Sequence, residues 1–196
     1  MPKIAAATVA ENREQRKEAL LKAAATLIQR DGAFTVAEVA KEVGLSRTAV
    51  YEYYSSASEL IADVLIDELT AWSQALADQT DPEASPRERV HAWITGVLTY
   101  VIDGRHALLR SAGTIELPES RHADVQALHQ AVIAPFVDAL VAAGTVDPVR
   151  DARFVWGVVD VAINRIESGE CDPQVEMQAV MDFVDGALDR SLTHKA

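Results

Sequence analysis

Apolar side chains recur along the chain at intervals of three and four, the period of a helix face, and no stretch alternates as a half-buried strand would. Ala19, Leu20, Ala23, Ala24, Leu27 and Ile28 give a first packing stripe, on a helix from about Gln15 to Arg30. Leu60, Ile61, Val64, Leu65, Leu69, Trp72 and Leu76 give a long fourth helix, from about Ser56 to Asp78. Asp81-Pro82-Glu83-Ala84-Ser85-Pro86 reads as a linker, and Ser85, Pro86 at the first helical position and Glu88 start a fifth helix, whose wide apolar face is Val90, Trp93, Ile94, Val97, Leu98, Val101 and Ile102. A short helix from about His106 to Ala112 follows, then a long one opened by Pro118 and Glu119 and reaching Ala143, with a kink or break expected at Pro135. Asp147-Pro148 and Asp172-Pro173 each pair a capping side chain with a proline at the first helical position, so helices eight and nine start there. The pattern predicts an all-α fold of about nine helices.

The densest set of signals lies between Thr35 and Leu60. Thr35 and Glu38 form a capping box for a short helix that turns Val36, Val39, Ala40 and Val43 inward. Gly44 ends it, since a tight turn here needs the left-handed backbone that glycine adopts without strain. Leu45 plugs the turn, and Ser46 caps a second short helix in which Ala49 and Val50 are small enough to pack closely. Arg47, Thr48, Tyr51 and Tyr53 then point outward. Arg and Thr side chains reach base edges or phosphates, and a tyrosine can donate to phosphate or pack on a sugar. Ser56 and Glu59 form another capping box for the next helix.

The run Thr35-x-x-x-Val39-Ala40-x-x-x-Gly44-Leu45-Ser46, then Thr48-x-x-Tyr51-x-Tyr53-Tyr54 and Glu59-Leu60, resembles the DNA-binding domain of the tetracycline-repressor (TetR) family of bacterial transcription regulators. The first helix fits too, ending in Asp31-Gly32, so the motif match covers about the first third of the chain. Elsewhere the likeness is one of length and helical pattern. One position departs: Ala57 stands where the family usually has a lysine, which removes one expected phosphate contact. The resemblance implies a three-helix, helix-turn-helix head at residues 13–60, continuing into helix four to about 78. Residues 1–12 would be a flexible arm before it, and 61–196 an effector-binding and dimerisation body. It implies a homodimer on a palindromic operator in double-stranded DNA, a repressor released by a small-molecule effector. Thr35, Ser46, Arg47, Thr48, Tyr51 and Tyr53 are the DNA-binding candidates.

Charge bears on that expectation. The net charge is −12, yet residues 1–60 hold eight Lys/Arg and eight Asp/Glu, so the whole excess of acid lies in 61–196. A neutral head with local basic groups before an acidic body can bind DNA through one face only. Arg13, Arg16, Lys17 and Lys22 enter helix one and are either a solvated face or phosphate contacts.

Helix eight is apolar over most of its circumference: Phe154, Val155, Trp156, Val158, Val159, Val161, Ala162, Ile163 and Ile166. Such a helix is buried on more than one side. Its polar stripe Arg153, Gly157, Asp160, Asn164 and Glu167 is first of all a solvent-facing strip, and alternatively a polar lining to an interface or pocket. Helix nine adds Met177, Val180, Met181, Val184, Ala187 and Leu188. In the family the last two long helices of each subunit make a four-helix dimer interface, which here designates Val155, Val159, Val180, Val184 and Leu188. The family also holds its effector between helices five to eight, which designates Trp93, Tyr100, His106, Phe136, Trp156 and Asn164, each also serviceable as ordinary core. The acidic body favours a neutral or cationic effector, although Arg105 and Arg110 could reverse that locally.

Catalytic and metal chemistry finds no constellation. Ser111 lies in no nucleophile elbow, and Cys171 is alone, so neither a disulfide nor a cysteine zinc site can form. His122 and His129 are seven residues apart, ~10 Å along a helix, too far to share one ion. Glu119 and His122 make one Glu-x-x-His pair where a di-metal bundle needs two. No enzyme activity, metal or cofactor is expected. Without a long uninterrupted apolar run, and with IAAATVA closed early by Glu11, neither a membrane span nor a signal peptide is expected, which points to the cytoplasm. The competing reading is an all-helical small-molecule-binding protein or enzyme that does not bind DNA.

Overall fold

The computed structural model describes residues 9–81, 83–113 and 115–193, all of whose regular structure is helical. The described residues form nine helices: α1 Val9–Asp31, α2 Val36–Glu42, α3 Arg47–Tyr51, α4 Ala57–Asp78, α5 Pro86–Ile102, α6 His106–Gly113, α7 Glu119–Ala143, α8 Pro148–Glu167 and α9 Pro173–Thr193. Residues 1–8 of the expected arm lie outside the described residues, as does Pro82 of the expected linker. The last part of that arm is not an arm: α1 begins at Val9, six residues ahead of the expected start at Gln15.

Packing groups the chain into two compact units that are not contiguous in sequence. The first takes residues up to Glu68 together with Ala107–Val125; the second takes Leu69–His106 and the chain from Gln126 on. The break between the units after Glu68 falls within α4, inside the stretch from 60 to about 78 over which the head was expected to continue. The first unit holds the first half of α4, α6 after its first residue, and the start of α7.

In the first unit α1 packs on α2 and α2 on α3. Leu20, Ala24, Leu27 and Ile28 of α1 are buried with Val39, Val50 and Leu60. The α2 start is fixed as the sequence requires: Thr35 Oγ accepts from Glu38 N, and Glu38 Oε2 accepts from Thr35 N at 2.7 Å. Its end is a Schellman turn. Gly44 has φ +68°, Leu45 N donates to Ala40 O at 2.8 Å, and Gly44 N to Lys41 O at 3.3 Å. The cap of α4 differs in one detail. Ser56 Oγ accepts from Glu59 N, but the Glu59 carboxylate accepts from Ser55 N rather than from Ser56 N.

In the second unit α5 packs on α8 and α9, and α8 on α9. Trp93, Ile94, Val97, Leu98, Phe136, Leu140, Val159 and Val184 are almost fully buried there. Ser85 and Glu88 form a capping box at the expected helix start, with Pro86 in the first turn. Gly96 marks a close approach: a Cβ there would lie 2.6 Å from Leu76 Cδ2. The expected break at Pro135 does not occur, and α7 runs through it. Proline lacks the N–H that would bond the carbonyl four residues back and crowds that turn. One residue past the carbonyl that Pro135 leaves unpaired, Val132 O accepts the Trp93 indole N–H at 2.8 Å, which ties α7 to α5. By length and composition alone α7 could cross a bilayer, against the expectation that no segment could. Its stripe Val132, Phe136, Ala139 and Leu140 is buried in the second unit, while 28% of its most apolar stretch is buried in all.

Candidate nucleic-acid interface

The face presented by the turn and α3 carries most of the expected site. Ser46, Arg47, Thr48 and Tyr51 are exposed, and Tyr53 is half-buried in the turn just after the helix. Val50 behind them is fully buried and anchors the five-residue helix to the unit's core. Thr35 is exposed too, and the hydroxyl oxygens of Thr35 and Ser46 already serve as caps, Ser46 Oγ accepting from Ala49 N at 3.1 Å. Thr35 also donates its hydroxyl to Glu38 Oε2 at 2.8 Å. These bonds hold the Glu38 carboxyl below the usual glutamate range, the Thr35 backbone N–H being the larger cause.

Two guanidinium–tyrosine pairs flank α3. Arg47 donates to Tyr51 Oη at 3.1 Å and lies 5.5 Å from that ring's centroid. Arg13 of α1 lies 4.9 Å from the Tyr53 ring centroid and donates to Glu52 O at 3.4 Å. Each arginine is thereby held against an outward aromatic face, with donors of its fork left over.

Sequence spacing did not reveal the group behind this face. Tyr54, next to the outward Tyr53, turns inward and is only 3% exposed. Its hydroxyl donates to Asp63 Oδ2 at 3.2 Å. The same carboxylate receives Lys17 of α1 at 3.3 Å and Arg121 from the start of α7. Burial first, and the Asp63 charge second, push the Tyr54 phenol well above its ordinary value. Of Arg13, Arg16, Lys17 and Lys22 on α1, Lys17 is thus committed to Asp63, and Lys22 faces a groove lined also by Leu21, Val64 and Leu108. The available hint was a carboxylate beside the buried Ala62 and Val64 on α4; its partner at residue 121 had no local signal.

In the second unit the effector candidates separate into two aromatic groups. Trp93 stacks on Phe136 at 4.5 Å, with Trp156 tilted against it at 6.1 Å. Tyr100 stacks on Trp72 at 4.6 Å, with His106 edge-on to Trp72 at 6.2 Å and Arg105 over the Tyr100 ring at 4.7 Å. Asn164 joins neither: it is exposed and bonds back to Asp160 O on its own helix. Of the polar stripe on α8, Arg153, Gly157, Asp160 and Asn164 are exposed, while Glu167 turns in to His106 Nδ1 at 2.9 Å. The Trp72 indole N–H is buried without an acceptor. A groove of about 660 Å³ runs between α7 and α8, with Ile133, Val137 and Trp156 in its walls and Arg153 and Asp138 at its edges.

The five interface candidates, Val155, Val159, Val180, Val184 and Leu188, are all buried within the protomer. Outward from the same two helices face Phe154, Val161, Val175 and Phe183, at 67%, 58%, 68% and 57% exposure. Phe154 and Phe183 flank a groove of about 480 Å³ between α8 and α9. Cys171 sits near the Arg165–Glu176 ion pair, and desolvation first and Glu176 second push its thiol up, away from a reactive thiolate. Among the described residues no three metal-ligating side chains gather.

Residues 20–64 match the family model of bacterial regulatory proteins of the tetR family. The chain is similar to the solved structure of a TetR-like transcriptional regulator from Rhodococcus sp., with a TM-score of 0.70 and 23% identity over 89% of this chain and 96% of that one. It is similar to a TetR transcription regulator from Haloarcula marismortui, with a TM-score of 0.72 and 19% identity over 91% and 98% of the two chains. A third similar structure is the superantigen pfit, with a TM-score of 0.67 and 21% identity over 84% and 86%. Among curated proteins none matches. The chain thus has the fold of TetR-family regulators with an N-terminal helix-turn-helix. Because the superantigen shares that fold, function has to be argued from the site.

Proposed function

We propose that the chain is a ligand-responsive transcriptional repressor that binds a palindromic operator as a homodimer. The observation that carries this reading is the outward set Arg47, Thr48 and Tyr51 on a short helix anchored by Val50, inside the segment that matches the tetR family model. A small-molecule carrier has no use for an arginine and a tyrosine held outward on a capped five-residue helix. A recognition helix has: its first residues enter the major groove and meet base edges. Arg47 reads bases and Thr48 assists, while Tyr51 and Tyr53 meet phosphate or sugar.

Two such heads related by a two-fold axis read inverted half-sites about one helical turn apart. Phe154, Val161, Val175 and Phe183 support a two-fold face on α8 and α9, since large apolar groups exposed together are costly unless covered. The effector binds in the second unit. There the groove between α7 and α8, walled by Ile133, Val137 and Trp156 with Arg153 and Asp138 beside them, supports a mainly apolar ligand with a few polar groups. The switch is differential affinity: the effector prefers a form whose heads are wrongly spaced for DNA. Helix α4 begins in one unit, ends in the other and is ~33 Å long, so a few degrees of swing moves its end by a few ångströms.

Selection from random duplex DNA tests the first half. A palindromic enriched motif is expected, and no enrichment would end the reading. A thermal-shift screen of metabolites and drugs, with operator release measured for each hit, tests the second. Binders that never alter operator affinity would refute the switch alone.

A further inference from the structure

We propose that Arg13 is a DNA-phosphate clamp belonging to the reading surface, although it lies on α1, more than thirty residues before the recognition helix. The inference rests on the DNA-binding reading above and adds to it a contact made by a different element. The four cations at the start of α1 look equivalent in sequence, and the structure sorts them. Lys17 is bound inward to Asp63. Lys22 faces the groove shared with Leu108. Arg16 is exposed, and Arg13 is brought to the end of α3, through Glu52 O and the face of Tyr53.

That placement suits a clamp for three reasons. Glu52 is the C-cap of α3, where carbonyls lack helical donors, so the guanidinium both satisfies one of them and is fixed by it. Stacking on Tyr53 leaves the in-plane N–H fork free at its edge, and that fork matches two phosphate oxygens. Position gives the third. Arg47 is the first residue of α3 and Arg13 sits against the residue after its last. The five residues of α3 span ~7.5 Å, while a B-form major groove is ~12 Å wide. With the start of α3 at the base edges, its far end reaches the groove wall, where phosphates lie. Arg13 brings there a cation that α3 itself does not carry.

The experiment uses the full chain and the duplex it selects from random DNA, with affinity measured from 50 to 200 mM KCl. A phosphate contact contributes ~0.9 to the slope of log K against log salt, so two heads lose ~1.8 in Arg13→Ala. The affinity ratio of wild type to variant should then shrink roughly 12-fold across that salt range. The loss should be the same on selected and scrambled duplexes, since phosphates carry no sequence. Arg13→Lys should keep the wild-type slope. Arg13→Gln, which can still donate to Glu52 O but is neutral, should behave as Arg13→Ala. If Arg13→Gln keeps the wild-type slope, or if Arg13→Ala folds by circular dichroism and keeps it, Arg13 only braces the turn and the proposal is overturned. If wild type itself selects no duplex, the DNA-binding reading falls first, a separate and recognisable outcome.

Discussion

Replacing Asp63 by Asn puts the packing of the first unit to its sharpest test. The Asp63 side chain is only 12% exposed and collects Tyr54, Lys17 and Arg121. Arg121 is 30% exposed, so its hydrogen bond to a charged partner falls in the ~1.5–3 kcal/mol class. Lys17 is 42% exposed and therefore screened, worth ~0–1 kcal/mol. Asparagine keeps one carbonyl acceptor, which offsets part of the loss, so the expected destabilisation is about 2 kcal/mol. For a chain of this length that lowers the melting temperature by ~4–8 °C, read by circular dichroism at neutral pH. Raising the salt should recover the small Lys17 share and leave the Arg121 share in place. A double-mutant cycle with Arg121→Ala isolates the pair. A melting-temperature loss under ~1 °C, or a coupling below ~0.5 kcal/mol, would show that the carboxylate is not the joint described here.

Four further outcomes are expected. Arg47→Ala should relax the selected motif at one position and cost ~1–3 kcal/mol of operator binding, and an unchanged motif removes Arg47 from the reading set. Phe183→Glu should leave folding intact, because Phe183 is exposed in the protomer, yet give a monomer on sedimentation; a dimer at micromolar concentration places the interface elsewhere. Val184→Glu, fully buried, should instead unfold the chain. Tyr54 has a raised pKa, so the folded state holds its proton more tightly than the unfolded one. The stability it contributes is complete below the ordinary tyrosine value of 10.0 and falls as pH rises above it. The advantage of wild type over Tyr54→Phe should shrink on that side, and a pH-independent difference refutes the assignment.

Local chemistry was readable in the chain; long-range company was not. The capping pairs at Thr35, Ser85, Asp147 and Asp172, with Gly44 in its turn, act within five residues of themselves, so the helices they bound follow directly. The start of α1 was missed because Val9 to Asn12 carry no cap and no apolar stripe. A proline predicts a lost hydrogen bond, but neither that α7 runs on through Pro135 nor that Trp93 ties the neighbouring Val132 carbonyl to α5. Apolar periodicity marks α8 and α9 as core without saying whose core. Val155 and Val184 fill the protomer, whereas Phe154 and Phe183, as apolar by any scale, face out. The polar stripe was legible as solvent-facing at Arg153, Asp160 and Asn164 and failed only at Glu167, whose partner His106 is 61 residues away.

Arg121 has a consequence for the order in which the chain can be made. The unit that carries α2 and α3 also includes Ala107–Val125, and Asp63 waits for a guanidinium 58 residues downstream. A ribosome adding 5–20 residues per second needs roughly 3–11 s to go from residue 68 to residue 125. Over that interval Asp63 has Lys17 and Tyr54 but not its strongest partner, and the surface later covered by Leu108, Leu109 and Ala112 is bare. The end that carries α2 and α3 emerges before the rest of its unit and is completed late. It is therefore not a transplantable cassette: a graft of residues 1–78 onto another body leaves out the segment that finishes it.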